Sequence, residues 1–378
     1  MSERTIVSLA ALRREHLAVA GGKAVNLGEL LAAGMPVPDG FCLTTAAYRE
    51  VARAPAVVAA IAGLANGGAA EAVRAALLAA PVSREIAAAL VSAYAGMGDE
   101  VVVAVRSSAT AEDLPDASFA GQQDTILGVR GEAGLLAAVR RCWSSLFSDR
   151  AVAYREQRVI APEAVELAVV VQQLVPASVA GVLFTADPVI GRRGRAVIDA
   201  SPGLGEAVVS GAVNPDHFVV EGAQVLLRQI GDKRLRIDAA GGGTRQVALA
   251  ASDEACVSDP ELLELVALGR RIEGHFGAPQ DIEWALDERR RPAILQSRPI
   301  TTLYPLPADA PALPELSVYF NFNVAQGVLR PLTPMGIQCW RLVMGSVARK
   351  LGFDVPVMAG PPFIKDAGQR LVFDLTLA

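Results

Sequence analysis

Four polar side chains alternate with apolar ones in two short segments close to residue 290. Asp281 and Glu283 do so in the first segment and Gln296 and Arg298 in the second, with residues 287–292 between the segments. Alternation with a period of two predicts β-strands whose polar side chains share one face. We therefore expect a β-hairpin that gathers two carboxylates, an amide and a guanidinium.

The pairing of these side chains depends on the register of the hairpin. A symmetric register pairs Leu286 with Ala293, leaves Ile294 on the polar face, and places Trp284 and Leu295 on the opposite face. It forms two facing polar pairs, Glu283 with Gln296 and Asp281 with Arg298. A β-bulge within the hairpin would shift the register by one residue.

Such a polar face suits a metal-bound phosphate. Mg²⁺ prefers hard oxygen ligands, here a carboxylate and an amide oxygen, and keeps nucleotide phosphates among its other ligands. A guanidinium beside the metal can bind a phosphate through two hydrogen bonds. The alternative, from the strand pattern alone, is the solvated face of an edge hairpin.

Three further segments carry residues that suit a phosphate chain. Arg106 ends an apolar strand and precedes Ser107-Ser108-Ala109-Thr110, and residues 118–125 form a small-residue loop whose N–H groups can approach phosphates. A surface turn is the alternative for each of these two segments. Lys23 follows Gly21-Gly22 and is the sole lysine before Lys233, which suggests that a compact ammonium is needed there.

Residues 169–175 read as a strand that leaves the core through a short hinge before Pro176. The N–H and C=O groups of such a hinge can bind a flat adenine, and the alternative is an ordinary core strand. Glycine turns at residues 201–206 and 208–211 lie beside strands, where they can approach a nucleotide. The glycine run at residues 241–243 is more typical of a flexible turn.

Mixed helices and strands must position these residues. The periodicity and the Gly and Pro positions predict the following elements. Helices are expected over residues 22–33, 45–97 with breaks, 132–157, 259–276 and 336–351, and strands over 41–44, 101–105, 124–129, 167–174, 179–185, several parts of 195–231, 281–286, 293–298 and 318–322, with a loop at 107–123. The irregular alternation favours an α+β fold and argues against a doubly wound sheet.

The composition favours a cytoplasmic protein without a nucleic-acid or membrane partner. The 378 residues carry a net charge of −5 and are 52% hydrophobic, and a negative chain is not drawn to nucleic acid or anionic lipid. The longest apolar stretch, residues 56–65, is short of the roughly 18 residues of a spanning helix, and the charged N-terminus lacks a signal sequence. Four dispersed cysteines form no C-x-x-C pair, as expected for reduced thiols.

Several catalytic patterns are missing from the sequence. It contains no Walker A motif, G-x-S-x-G elbow or zinc-ligand spacing. The three histidines, His16, His217 and His275, lie in no nucleophile pattern, and we expect each to be a surface or hydrogen-bonded histidine.

The ordered set of motifs resembles a known family. The segments are Gly21–Leu27, Val105–Asp113, Ser118–Thr125, Phe184–Pro188, Gly203–Glu206, Gln280–Trp284 and Leu295–Pro299. This set resembles the N-terminal ATP-binding domain of phosphoenolpyruvate synthase, pyruvate phosphate dikinase and rifampicin phosphotransferase, over about residues 20–302. The resemblance implies an α+β ATP-grasp fold of two lobes with Mg-ATP between them, followed by the start of a further domain.

The resemblance also implies a role for each site residue. Lys23 and Arg106 would bind phosphates, and Gly121, Gln122 and Thr125 would lie in the loop that covers them. Gln173, Leu174 and Val175 would line the adenine pocket. Glu283 and Gln296 would hold Mg²⁺, and Asp281 and Arg298 would complete the phosphate site.

The expected domain layout follows from the same resemblance and from a proline-rich linker. The predicted parts are lobe 1 at residues 1–174, lobe 2 at 175–303, the linker at 304–314, and the incomplete start of a middle or acceptor domain at 315–378. We expect the chain to be a fragment of a longer product.

The family implies an ATP-dependent phosphotransferase. A histidine on a swivelling domain, supplied in cis or in trans, takes phosphate from ATP, with AMP and inorganic phosphate released overall, and passes it to a small-molecule acceptor. The segment that carries this histidine is absent from the chain. The interpretations left open are a phosphoenolpyruvate synthase-like module, a rifampicin phosphotransferase-type module, a non-catalytic nucleotide-binding module, and an ATP-grasp carboxylate ligase that releases ADP.

Overall fold

The computed structural model describes residues 4–65, 67–110, 113–114, 117–118, 125–158, 161, 165–311, 317–328 and 331–376. The chain divides into two compact units, Met1–Thr301 and Thr302–Ala378. In the first unit the α-helices are α1 (Leu17–Ala32), α2 (Thr45–Ala52), α3 (Pro55–Ala65), α4 (Ala70–Ala79), α5 (Arg84–Ala95), α6 (Gly131–Ser145), α7 (Asp149–Arg158), α8 (Glu206–Val209) and α9 (Asp259–Phe276).

The β-strands of the first unit form two large antiparallel sheets and two hairpins. They are β1 (Ile6–Ser8), β2 (Gly40–Leu43), β3 (Val103–Ala109), β4 (Asp113–Leu114), β5 (Ala117–Ser118), β6 (Thr125–Val129), β7 (Leu167–Gln173), β8 (Ala177–Phe184), β9 (Arg195–Pro202), β10 (Asp216–Glu221), β11 (Gln224–Gln229), β12 (Leu235–Ala240), β13 (Gly243–Ala248), β14 (Gln280–Asp287) and β15 (Pro292–Pro299). The hairpins are β4–β5 and β12–β13.

A five-stranded sheet in the order β1-β2-β7-β3-β6 forms one lobe. Its central strand β7 is apolar on both faces, because Val169 and Val171 pack into the core with α2 to α6, while Ala168 and Val170 pack against α1. A strand that is covered on both sides has no reason to alternate apolar and polar residues. This explains the unbroken apolar run at the start of the strand.

A six-stranded sheet in the order β11-β10-β9-β8-β14-β15 forms the second lobe. The helix α9 packs on one face, where its Leu265 and Ile272 join a core that includes Ile282 and Trp284 of β14. The helix has the predicted bounds because Ser258 forms a capping box at its start and Gly277, with φ of 73°, ends it. The opposite face of the sheet, which α9 does not cover, is available for the candidate site.

The strand β3 is longer than the sequence predicted. A loop was expected from residue 107, but the strand continues to Ala109, which pairs with Leu167 of β7. The Ser107 and Ser108 side chains are buried within the sheet, so small polar residues here reflect close packing rather than a surface turn. Residues 111–112, 115–116 and 119–123 of the predicted loop, and residue 124 of the strand predicted after it, lie outside the described part of the chain.

The second unit is built around a small antiparallel sheet. Its elements are β16 (Tyr319–Asn321), α10 (Phe322–Ala325), α11 (Pro334–Lys350), β17 (Ile364–Asp366) and β18 (Leu371–Asp374), with the sheet order β16-β18-β17. Ile337, Ile364 and Leu371 form its core. The short predicted strand at residues 318–322 and the helix at 336–351 both occur, with shifted ends.

The predicted α+β class is confirmed, because the first unit consists of two antiparallel sheets with helices packed against them. Of the helices within the described ranges, none is by itself both long and apolar enough to cross a membrane. The pair Ala70–Ala79 and Arg84–Ala95, bent by 76°, is long and apolar enough when taken together, by length and composition only.

Candidate functional site

The hairpin β14–β15 has the predicted register at its polar end. Glu283 lies opposite Gln296, and Asp281 lies opposite Arg298. The Arg298 side chain donates from Nε to Oδ2 of Asp281 at 2.8 Å. Burial is the main cause that raises the pKa of the Asp281 carboxyl, and the Arg298 charge opposes it.

The register near the turn was predicted wrongly. A bulge between Glu283 and Trp284 pairs Leu286 with Pro292 instead of Ala293. One extra residue in a strand inverts the alternation beyond it. Ile294, expected on the polar face, is therefore buried in the core that includes Trp284, and the next residue, Leu295, lines the cavity described below.

The guanidinium of Arg106 joins the two lobes. Its Nη1 donates to Oε2 of Glu283 at 3.3 Å and to the carbonyl oxygen of Leu295 at 3.3 Å. The Arg106 residue is only 7% exposed, and its Nε is buried without a hydrogen-bond partner in the described part of the chain. A buried donor of this kind is poised for an anionic ligand.

Lys23 lies at the start of the regular part of α1, close to the end of β3. Its Nζ donates to the carbonyl oxygen of Ser107 at 3.2 Å. The preceding Gly21 has φ of 72° and ψ of 169°, and a Cβ there would lie 2.3 Å from the Ser108 carbonyl oxygen. Only glycine permits this close approach, and the approach brings Lys23 next to the strand that carries Arg106.

The helix α1 also contacts the hairpin β14–β15. The Asn26 side chain donates from Nδ2 to the carbonyl oxygen of Ser297 at 3.1 Å, and Ser297 lies between Gln296 and Arg298. One helix thus contacts both the Arg106 strand and the strand of the predicted metal and phosphate ligands.

A cavity of about 510 Å³ opens between the two sheets of the first unit. This is within the range of roughly 300–1,000 Å³ that is usual for small-molecule sites. Six of the predicted site residues line it, namely Arg106, Thr125, Gln173, Leu174, Val175 and Glu283. Among the described predicted residues, Lys23, Asp281, Gln296 and Arg298 are not in its lining.

The backbone of the hinge between β7 and β8 is a candidate hydrogen-bonding partner for a nucleotide base. The N–H groups of Gln173 and Leu174 already donate to Asp39 and Val102 carbonyl oxygens, at 2.8 and 2.9 Å. The N–H of Val175 has no such partner within the described ranges. Because Val175 lines the cavity, its N–H is the candidate donor of the hinge to a bound base.

Two predicted residues of the phosphate-covering loop, Gly121 and Gln122, lie outside the described residues. The end of that segment is described: Thr125 begins β6, lies opposite Arg106 in the register, and lines the cavity. Arg150, Glu206 and Ser210 also line the cavity but were not assigned from the sequence. The glycine turn at residues 203–206 was the available signal.

The candidate metal ligands Glu283 and Gln296 lie opposite each other in the hairpin β14–β15. No group of three or more His, Cys, Asp and Glu side chains suited to a metal occurs in the ranges that the structure describes.

The three histidines have polar partners, as expected from the sequence. His217 contacts Asp199 at 2.7 Å, His275 contacts Glu29 at 3.6 Å, and His16 accepts a hydrogen bond from the N–H of Arg13.

Known proteins match most of the chain. A rifampicin phosphotransferase from a Streptomyces species is 47% identical over 356 residues, 90% of this chain and 41% of that protein. Rifampicin phosphotransferase from Bacillus subtilis is 37% identical over 361 residues, 92% of this chain and 41% of that protein. A probable phosphoenolpyruvate synthase from Methanothermobacter thermautotrophicus is 42% identical over 311 residues, 77% of this chain and 45% of that protein.

The chain therefore spans less than half the length of these curated relatives. Among solved structures, D-alanyl-alanine synthetase A from Vibrio cholerae superposes with a TM-score of 0.26 at 11% identity, over 75% of this chain and 58% of that chain, a likeness too low to support an argument. The family model for the AMP/ATP-binding domain of pyruvate phosphate dikinase matches residues 17–311. With the relatives above, this match shows that the chain belongs to the pyruvate phosphate dikinase AMP/ATP-binding domain family.

Proposed function

We propose that the first unit binds Mg-ATP between its two sheets and supplies a phosphoryl group to a histidine on a separate swivelling domain. The observation that carries this proposal is the contact of Arg106 with Glu283 in a cavity of nucleotide size. A metal-bound triphosphate needs a hydrogen-bond donor to its phosphate oxygens and a ligand for its metal ion. The buried guanidinium of Arg106 can be that donor, and the carboxylate of Glu283 can be that ligand.

The proposed roles divide the cavity into two ends. At the hinge end, Gln173, Leu174 and Val175 take adenine, whose 6-amino group can donate to a hinge carbonyl. At the other end, Arg106 binds phosphate oxygens, and its unsatisfied Nε supports this role. Lys23 and Arg298 complete the phosphate site, with Asp281 holding Arg298 in place. Thr125, with Gly121 and Gln122, covers the phosphates.

Mg²⁺ is proposed to bind to Glu283 and Gln296. These two residues face each other across β14 and β15, and directly opposite side chains have Cβ atoms about 5 Å apart. Two protein oxygens are few for a metal site, but Mg²⁺ is commonly held by one or two protein ligands together with phosphates. The residues present therefore fit the ion, which would neutralise phosphate charge when bound.

The remainder of the reaction requires parts beyond the first unit. Overall, one phosphoryl group of ATP passes to the histidine and then to a small-molecule acceptor, a second passes to water and is released as inorganic phosphate, and AMP is released. The relatives are more than twice as long as the matched segment, which supports further domains in cis. We propose a cytoplasmic enzyme with lobes at residues 1–174 and 175–303, a linker at 304–314, and the start of a middle or acceptor domain at 315–378.

A second candidate concerns the acceptor. The Streptomyces relative named rifampicin phosphotransferase matches 90% of the chain, whereas the first unit is about four fifths of it. That match therefore extends into the second unit. The Methanothermobacter synthase matches only 77%. This difference favours an antibiotic of the rifampicin type over pyruvate as the acceptor of the full-length protein.

Nucleotide titration tests the proposed function. The chain is titrated with ATP by calorimetry, with excess Mg²⁺ or with EDTA. We expect binding that Mg²⁺ strengthens, and we expect Glu283→Gln to remove most of that strengthening. The control Glu288→Gln removes one carboxylate from the exposed hairpin turn and should behave as wild type. Failure of the wild-type chain to bind ATP, or an unchanged Mg²⁺ effect in Glu283→Gln, contradicts the proposal.

The product identifies the reaction class. The full-length enzyme is incubated with ATP and with either rifampicin or pyruvate, and the nucleotides are separated by chromatography. AMP formation that depends on one acceptor supports the dikinase chemistry and identifies the acceptor. ADP as the product would indicate a carboxylate ligase, and no turnover would indicate a non-catalytic nucleotide-binding module.

A further inference from the structure

The hairpin β12–β13 forms a two-stranded sheet of its own, to which the proposed function assigns no role. Its turn contains the glycine run at residues 241–243 that the sequence indicated as flexible. Of residues 235–248, all of which the structure describes, Ile237 alone is buried. An isolated two-stranded hairpin is marginally stable in water, so this hairpin depends on the elements to which it is attached.

The hairpin is attached to the lobe of the six-stranded sheet through Ile237. The N–H of Leu204 donates to the Ile237 carbonyl oxygen at 2.8 Å, and Gly203 forms a β-bridge with Ile237. The Ile237 side chain packs with Leu204 and Ala207 in one apolar cluster. A backbone hydrogen bond and a buried side chain make this attachment firm.

The hairpin also contacts β6 of the five-stranded sheet, in the other lobe. Gly128 of β6 has φ of 72°, and a Cβ there would lie 2.7 Å from the carbonyl carbon of Gly243. The two backbones therefore meet with no side chain between them, and this approach requires glycine at position 128. Leu127 of β6 packs against the cluster that contains Ile237. The hairpin thus connects the two lobes.

This connection lies behind one wall of the cavity. Leu127 of one lobe and Leu204 of the other both line the cavity, whereas Ile237 packs behind them and is not part of the lining. The two lobes cannot separate at this wall while the hairpin holds both of them.

The two attachments differ in strength. The attachment to the six-stranded lobe uses a hydrogen bond and the buried Ile237, whereas the attachment to β6 uses two glycines and the partly buried Leu127. Segments with few buried apolar contacts open at a low free energy. We propose that the hairpin stays on the six-stranded lobe and detaches from β6 when a nucleotide enters or leaves the cavity, so that detachment sets the rate of nucleotide exchange. This inference rests on the proposed function.

Gly128→Ala tests the attachment to β6, because the new methyl group would force the hairpin away from the strand. Amide hydrogen exchange of residues 235–248 is measured by mass spectrometry, and the binding and release of N-methylanthraniloyl-ATP are measured by stopped-flow fluorescence. We expect hairpin exchange and nucleotide dissociation to become at least tenfold faster in Gly128→Ala, as for a clash that displaces backbone.

The association rate separates a detached hairpin from a damaged binding site. If detachment limits entry as well as release, the association rate in Gly128→Ala should rise about as much as the dissociation rate, and the Kd should change little. Faster dissociation with an unchanged association rate would mean that the variant only weakens binding, and it would overturn the proposal.

Gly131→Ala is the matched control. Gly131 has φ of 69°, and no atom lies within 4 Å of its built Cβ, so the substitution adds similar backbone strain without the clash. It should keep the wild-type hydrogen exchange and nucleotide rates.

A shortened chain tests the proposal even if Gly128→Ala does not fold. Residues 236–247 are replaced by a two-residue Asn-Gly turn between Leu235 and Ala248, which lie opposite each other in the hairpin. Both nucleotide rates should again rise at least tenfold.

The remaining outcomes separate this inference from the proposed function. Wild-type hairpin exchange in Gly128→Ala, or wild-type nucleotide rates in either variant, overturns the role of the hairpin alone. A wild-type chain that binds no nucleotide contradicts that role and the proposed function together.

Discussion

Nη1 of Arg106 lies 3.3 Å from Oε2 of Glu283, although 177 positions separate the two residues in the sequence. Arg106 belongs to the five-stranded sheet and Glu283 to the six-stranded sheet. Both residues line the cavity, and their contact balances two charges that would otherwise be costly to bury. A bound phosphate would offer Arg106 another counter-charge, and a bound magnesium ion would offer one to Glu283.

Replacement of Arg106 by lysine tests whether ATP binding needs only a positive charge at this position or also the planar shape of the guanidinium. Lysine keeps the charge but lacks the planar fork that binds phosphate through two hydrogen bonds. We expect Arg106→Lys to weaken ATP binding at least tenfold, or about 1.4 kcal/mol, as measured by calorimetry. Arg289→Lys, in the exposed hairpin turn, is the matched control and should have no effect. Equal affinities of the wild type and Arg106→Lys would show that a point charge suffices.

A methyl group at Gly21 should disturb both stability and binding. In Gly21→Ala the new Cβ would meet Ser108 atoms at 2.3 and 2.5 Å, in a backbone region that is almost exclusive to glycine. We expect a loss of about 2–3 kcal/mol in unfolding free energy and weaker ATP binding, because α1 carries Lys23. Chemical denaturation and calorimetry measure the two effects.

Gly34→Ala is the control for this substitution. Gly34 also has positive φ, at 68°, but no atom lies within 4 Å of its built Cβ. It should lose only about 1 kcal/mol, from backbone strain, and keep its ATP affinity. Equal effects of the two substitutions would mean that the contact with Ser108 is unimportant.

The ion pair of Glu261 with Arg290 should stabilise the protein in a pH-dependent way. Arg290 donates from Nε to Oε1 of Glu261 at 2.6 Å and is the main cause that lowers the carboxyl pKa to about 2. A lowered pKa gives stability that is complete above the unfolded value of about 4.5 and is lost as the pH falls through about 2. The pair connects the β14–β15 turn to the start of α9.

Replacement of Glu261 by glutamine should remove this contribution. We expect Glu261→Gln to lower the unfolding free energy by about 1–2 kcal/mol at pH 7. The difference from wild type should shrink between about pH 4.5 and pH 2. Denaturant unfolding at a series of pH values measures it, with Glu264→Gln on the exposed side of the same helix as the control. A difference that stays constant with pH would contradict the assignment.

The buried pair of Lys233 and Asp216 should be important for stability rather than for binding. Nζ of Lys233 lies 2.6 Å from Oδ1 of Asp216, and the two side chains are 3% and 0% exposed. Lys233→Met would leave a buried carboxylate without its counter-charge, which costs about 3–5 kcal/mol. The double variant Lys233→Met/Asp216→Asn should recover part of the loss. A loss below about 1 kcal/mol for Lys233→Met, measured by urea unfolding, would contradict this expectation.

Much of the fold was predictable because its signals are local. The bounds of α9 follow from a capping serine, a proline in the first turn and a terminal glycine, all of which act within one turn of the helix. The polar alternation in β14 and β15 identified the hairpin in the same way. By contrast, the extension of β3 to Ala109 depends on its pairing with β7, and no nearby residue signals that pairing.

The same division applies to the site. Sequence alone determined the family, because an ordered set of motifs is specific even where each motif is weak. It also predicted Arg106 and Glu283 as site residues, and both line the cavity. Only the tertiary structure decided that a bulge exchanges the faces of Ile294 and Leu295, and that Glu206 lines the cavity. A bulge and a cavity wall arise from contacts between segments far apart in the chain. Such contacts depend on how whole sheets pack, and residue spacing does not encode that packing locally.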